Sequence, residues 1–386
     1  MKDNRRDFII KTASLAAVVS LGSVSSNASE LNANVPLLAQ PAWPIIEGEN
    51  TPKICLNASS NMDFGRMRMY KQFGVDTVLM TGPRLPWTEK GLNEIIGRFK
   101  AEGIAVVNMM LTGIPKTIYG QEGRDEEIRM AQDSLIAAGA AGLPVVEYNF
   151  YAHRLTEGYY DVPGRGGSQY LGFDYSHKNG KWTYPAARAK GEETLAPKDL
   201  KAKPDIGIFT SEELWKNITY FLKAVIPVAE KADVRMALHP NDPPVPLSRG
   251  SQQIMTTLKD WKRLLDIVDS PSNGMTYDCG VSNEIGENPI EVLKYMAKRD
   301  RINHVHYRNC IVETPNLKYV EVFPDNGSVN MFAVMQELVK SKYKLGIFPE
   351  HPRGNELDKK LGGDFVGYLY NVAYARAMFQ AVINGK

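Results

Sequence analysis

The amino-acid sequence predicts an α/β fold, a single (β/α)8 TIM barrel interrupted by one long insertion. Three observations lead there. Eight short apolar or β-branched runs alternate with longer segments of helical period. No G-x-G-x-x-G follows the first runs, as a dinucleotide-binding open sheet would require. Metal-binding residue types collect where the last four runs end.

Taken in order, the strands are expected at Lys53–Ala58, Thr77–Thr81, Ala105–Leu111, Pro144–Asn149, Val234–His239, Gly274–Cys279, Ile302–Tyr307 and Leu345–Glu350. Their short apolar character is that of parallel strands buried on both faces. Helical spacing of apolar residues marks Thr88–Glu102, Arg124–Ala138, Glu212–Glu230, Pro289–Lys298, Met331–Val339 and Tyr368–Ile383. Residues 154–210 break this rhythm and are rich in Gly, Lys, Pro and aromatics, among them Tyr159, Tyr160, Tyr170, Phe173, Tyr175, Trp182 and Tyr184. Interdomain linkers are poor in aromatic residues, so this segment is expected to insert after the fourth strand and cover the barrel mouth. The barrel domain is assigned to residues 41–386.

Residues 1–28 carry Arg5-Arg6 before a weakly apolar run and a small-residue end at Ser26-Asn27-Ala28. They resemble a twin-arginine secretory signal cleaved near Ala28, which implies a periplasmic protein. The run holds Ser, Thr and Gly and is short of the ~20 apolar residues that cross a bilayer, so no membrane contact is expected after processing. Lys2, Arg5, Arg6 and Lys11 against Asp3 and Asp7 give this segment +2, which is the net charge of the whole 386-residue chain and leaves the remainder neutral. A neutral body speaks against nucleic acid as a partner. Three cysteines, an odd number, argue against a disulfide framework.

Barrel enzymes work at the C-terminal ends of their strands. Here the fifth to eighth strands end in His239-Pro240-Asn241-Asp242, Asp278-Cys279, His304-Val305-His306-Tyr307-Arg308-Asn309 and Glu350-His351, so four of the six histidines gather at three strand ends. His239, Cys279, His306 and Glu350 supply one candidate ligand each, a mixed nitrogen, sulfur and oxygen set that suits Mn, Fe or Zn. Calcium would want oxygen alone. His304 shares the parity of His306 and is expected to fill the barrel interior. Cys279 has an alternative role in a disulfide with Cys310, and Cys55 reads as a small buried hydrophobe. Arg308 is expected to fork a substrate carboxylate, Asp242 to orient a metal ligand, and His351 to carry protons.

The segments Phe221-Leu222-Lys223-Ala224-Val225-Ile226-Pro227 and His239-Pro240-Asn241-Asp242-Pro243-Pro244, with Ser270-Pro271-Ser272-Asn273-Gly274, His306-Tyr307-Arg308-Asn309 and Tyr148-Asn149-Phe150, resemble mannonate dehydratases. That resemblance implies a xylose-isomerase-like barrel that removes water from D-mannonate to give 2-keto-3-deoxy-D-gluconate, using Mn2+ or Fe2+ on His239, His306, Cys279 and Glu350. Substrate contacts are expected from Arg308, Asn309, Asn149 and Asp242. The family's H-P-D-D-P-P has Asn241 at its third position, and Glu350 replaces an aspartate. The family's Gly-Tyr near the last helix reads Gly362-Gly363, which leaves Tyr368 as the nearest candidate for the catalytic tyrosine. Met80, Thr81 and Met110 replace polar residues of the second and third strands. The alternatives are a metal-dependent sugar isomerase or epimerase, or a catalytically inactive sugar-binding barrel. The expected partner is a small-molecule sugar acid, and homo-oligomerisation stays open.

Overall fold

The computed structural model describes residues 48–178, 192 and 195–384. The leader read in residues 1–28, and Trp182 and Tyr184 of the insertion, lie outside the described residues. The strands run β1 (Lys53–Ala58), β2 (Thr77–Thr81), β3 (Ala105–Leu111), β4 (Val145–Tyr148), β5 (Tyr159–Pro163), β6 (Gln169–Asp174), β7 (Arg235–Leu238), β8 (Leu247–Ser248), β9 (Ser251–Gln252), β10 (Asn273–Asp278), β11 (Ile302–His306), β12 (Asn309–Thr314), β13 (Lys318–Val322) and β14 (Gly346–Phe348). β1, β2, β3, β4, β7, β10, β11 and β14 form a closed parallel barrel, sealed where Lys53 and Ile54 pair with Gly346 and Ile347. All eight expected strands are therefore present. Several end one or two residues early, because the ladder stops where the polar strand ends begin.

The helices are α1 (Phe64–Gln72), α2 (Glu89–Ala101), α3 (Pro115–Tyr119), α4 (Arg124–Ala140), α5 (Ser211–Lys231), α6 (Leu258–Ile267), α7 (Cys279–Glu284), α8 (Pro289–Lys298), α9 (Met331–Lys340), α10 (Glu356–Leu361) and α11 (Phe365–Asn384). Local chemistry explains their ends. Thr88 caps α2, and Thr210 with Glu213 forms a reciprocal capping box on α5. Along α5 the residues Leu214, Ile218, Phe221, Leu222, Val225, Ile226 and Ala229 form one buried stripe against the barrel.

The described part of the insertion carries two paired strands. β5 and β6 pair antiparallel, β6 pairs with β13, and β13 pairs with β12, giving a four-stranded sheet in the order β12-β13-β6-β5. The β12–β13 hairpin after the seventh barrel strand did not emerge from the sequence reading, although Ile311, Val312, Tyr319, Val320 and Val322 around Pro315-Asn316 carry its signal. Buried Arg249 ties two points of the insertion together, Glu157 at 2.8 Å and Glu192 at 2.8 Å.

Candidate metal centre and active site

Paired residues of neighbouring parallel strands project to the same side of the sheet. β10 pairs with β11 as Thr276 with His304 and Asp278 with His306. Side chains two apart share a face, so Thr276 and Asp278 look into the barrel with the two histidines. Tyr277 looks outward and bonds to the Pro289 carbonyl at 2.8 Å.

This parity corrects the ligand set. Asp278, not Cys279, meets His239, His306 and Glu350, and the four ligand atoms all lie within 4.8 Å of one another. Cys279 opens α7 on the far side, where its thiol bonds to the carbonyls of His306 (3.3 Å) and Arg308 (3.1 Å). Cys55, Cys279 and Cys310 are all free and buried, so the alternative Cys279–Cys310 disulfide does not form. His306 Nδ1 lies 2.8 Å from Glu350 Oε1, 3.8 Å from Asp278 Oδ2 and 3.1 Å from His239 Nε2. Glu350 Oε1 is buried with its hydrogen-bonding capacity unfilled, as expected of an oxygen aimed at a shared cation. Two imidazoles and two carboxylates fit a divalent metal.

The electrostatics follow from this crowding. Burial alone would depress the His306 imidazole, but Glu350, with Glu147 and Asp278, raises it to about 8. Burial raises the Glu350 carboxyl, yet His306, His351 and Arg308 hold it well below the ordinary range. His304, buried in the barrel interior as expected, is pushed down to about 4 mainly by desolvation.

Arg308 does not present its fork to a substrate. It is buried and bonded to Asp278 (2.9 Å), Glu284 (2.6 Å) and Asp242 (3.1 Å), with Glu350 at 3.2 Å. A Cβ on Gly280 would come within 2.8 Å of its guanidinium, so the close approach requires glycine there. The geometry makes Arg308 the counter-ion of the acid cluster instead of a carboxylate receptor.

The cluster forms one wall of a cavity of about 310 Å3 at the C-terminal barrel end. Asp242, Asn149 and His351 line it, as the sequence suggested. Asp242 accepts bonds from Tyr159 (3.1 Å) and Tyr319 (3.0 Å), which wires the inserted sheet into the site. His351 donates to Glu321 at 2.7 Å and keeps 32% of its side chain exposed. Burial lowers its imidazole, but Glu321 and Glu350 raise it to about 9. Its φ of 48° is unusual for a residue with a side chain, and such strain gathers at functional sites.

Asn309 and Tyr368 are placed elsewhere. The Asn309 amide bonds to the carbonyls of Pro324 and Val329 and to the backbone of Cys310, which pins the loop after β11. Tyr368 stacks on Phe348, itself a cavity wall, and is not among the residues that line the cavity. Parity could have revealed Asp278 in the sequence. No local pattern marks Glu147, Glu321, Tyr159 or Tyr319, which arrive from distant segments. Arg154 also lines the cavity. It is exposed, its guanidinium lies over the Tyr151 ring at 5.7 Å, and none of the ion pairs seen among the described residues involves it. A second cavity of about 560 Å3 between the loops after β2 and β3 contains Glu127. That acid is already committed to the backbone N–H groups of Lys116 and Thr117.

A closed barrel with nitrogen and oxygen ligands converging at its C-terminal strand ends defines the class of the protein, a (β/α)8 enzyme of xylose-isomerase-like architecture with a metal-type centre. The chain belongs to the mannonate dehydratase family: the family model of D-mannonate dehydratase (UxuA) matches residues 70–386. A mannonate dehydratase of Enterococcus faecalis is 30% identical over 329 residues, 81% of this chain and 88% of that protein. The crystal structure of mannonate dehydratase from Streptococcus suis serotype 2 superposes with a TM-score of 0.74 at 25% identity, covering 86% of this chain and 95% of that one. A xylose isomerase domain protein from Planctomyces limnophilus shares the fold, with a TM-score of 0.53 at 14% identity, over 86% of this chain and 99% of that one. The protein is thus a hydro-lyase of a metal-dependent family.

Proposed function

We propose that the protein dehydrates D-mannonate to 2-keto-3-deoxy-D-gluconate with Mn2+ or Fe2+ held by His239, Asp278, His306 and Glu350. The observation that carries this reading is the convergence of those four side chains, one from each of four consecutive barrel strand ends, in a chain of this family. When bound, a divalent ion supplies Lewis acidity that lowers the cost of the negative charge developing as the C2 proton leaves. Loss of that proton and of the C3 hydroxyl gives an enol that ketonises to the 2-keto-3-deoxy acid.

The chain's own residues supply the rest. His351, held by Glu321 and open to the cavity, carries the proton taken from C2 to the departing C3 hydroxyl, which leaves as water. Asn149, whose buried Oδ1 has no hydrogen-bond partner, receives a substrate hydroxyl. With Arg308 committed to the acid cluster, Arg154 is the cavity-lining guanidinium that meets the substrate carboxylate. A charge-assisted hydrogen bond contributes about 1.5–3 kcal/mol. Arg154→Ala is therefore expected to raise KM for the sugar acid roughly 10- to 100-fold with a smaller change in kcat. Steady-state kinetics check this, and an unchanged KM rejects the assignment.

The decisive assay incubates purified protein, loaded with Mn2+ or Fe2+, with D-mannonate and separately with neutral keto sugars. Formation of a 2-keto-3-deoxy acid is the expected result, and interconversion of the keto sugars alone overturns the reading. The leader read in residues 1–28 would place this reaction in the periplasm.

A further inference from the structure

Glu147 sits on β4, one residue before its end, lines the cavity and is buried. Among the described residues no Lys or Arg pairs with it. Its oxygens accept hydrogen bonds from Asn108 on β3 (2.9 Å) and Thr276 on β10 (2.6 Å), so the carboxylate is clamped from both sides. A buried carboxylate without a basic partner is costly to hold. Its orientation shows what it serves. His306 turns Nδ1 toward Glu350, Asp278 and His239, and turns Nε2 toward Glu147, 3.7 Å away. His304 stands edge-on to His306 on this inner side, ring centroids 5.2 Å apart. Glu147 belongs to a separate grouping with His304 and His306, outside the four-ligand set.

We infer that Glu147 is the positioning residue of the metal centre: its carboxylate holds the proton of His306 on Nε2, which leaves the Nδ1 lone pair free for the metal. A neutral imidazole carries one proton, and the group facing one nitrogen decides which nitrogen becomes the ligand. Thr276 and Asn108 then act one layer further out, fixing the acid that fixes the histidine. This rests on the reading that His306 is a metal ligand. It holds whichever sugar acid is the substrate.

The test is manganese affinity, measured by chelator competition on protein stripped of metal, with the manganese resonance spectrum as a second readout. Glu147→Gln preserves the size of the side chain and one acceptor oxygen, and removes its charge. The expected result is a Kd for Mn2+ raised roughly 10- to 100-fold, an altered spectrum, and an unchanged melting temperature for the metal-free protein. Glu147→Asp, which keeps the charge on a shorter stem, is expected to recover part of the affinity. An unchanged Kd overturns the inference, as does an affinity loss matched by a lower melting temperature of the metal-free variant. Wild-type protein that binds no divalent ion overturns the metal centre itself. Tight manganese binding without turnover of D-mannonate leaves the role of Glu147 standing and removes only the substrate.

Discussion

Asp278→Ala is expected to strip the protein of its metal and to reduce kcat/KM by well over 100-fold, while Cys279→Ala keeps both. Loss of a group that merely orients a ligand costs roughly 10- to 100-fold in such centres, so loss of a ligand should exceed that. Asp278 also accepts the Val281 backbone N–H at 2.8 Å, capping α7, and bonds to Arg308. Its removal therefore loosens the neighbouring charges as well. The neighbouring cysteine is a control one residue away, with its thiol turned to carbonyls on the other side of the strand. Metal analysis of the two purified variants beside the wild type decides between them. Metal retained in Asp278→Ala and lost in Cys279→Ala would restore the sulfur ligand and refute the geometry.

Arg308→Met is expected to cost about 3–5 kcal/mol of stability, the range found when one partner of a buried ion pair is removed. Asp242, Asp278, Glu284 and Glu350 all lean on this one guanidinium. Without it they face one another in a water-poor interior. Protonation relieves such repulsion, so the unpaired acids of the variant bind protons at higher pH than they do in the wild type. Folded variant thus gains protons as pH falls, and the stability gap from the wild type is expected to narrow from pH 8 to pH 5. Denaturant unfolding of metal-free protein at both values measures the gap, and a constant or widening gap contradicts the assignment. Arg308→Lys should recover little, because a single ammonium cannot span acids arranged around a planar fork.

The two corrections at the centre share a cause. Cys279 looked like a ligand because thiolates are good ligands and it sits at a strand end. Yet the rule that separates His304 and His306 from Val305 also separates Asp278 from Cys279. Arg308 looked like a substrate clamp because it shares the parity of His306 in the sequence. What occupies it instead is a set of acids from β10, α7, β13 and the loop after β14, brought together only by the folded chain.

By itself, the sequence determined the barrel, its eight strands, and the strand ends at which His239, His306 and Glu350 come together. Those properties are written in the period and sidedness of apolar residues, which act over a few neighbours. The tertiary structure alone decided the partnership of Glu147 with His306, the enclosure of Arg308, and the joining of the insertion to the β12–β13 hairpin through Tyr159, Tyr319 and Asp242. Each depends on which distant segments become neighbours. Because a buried charge takes its state from every group around it, no local pattern can specify that state.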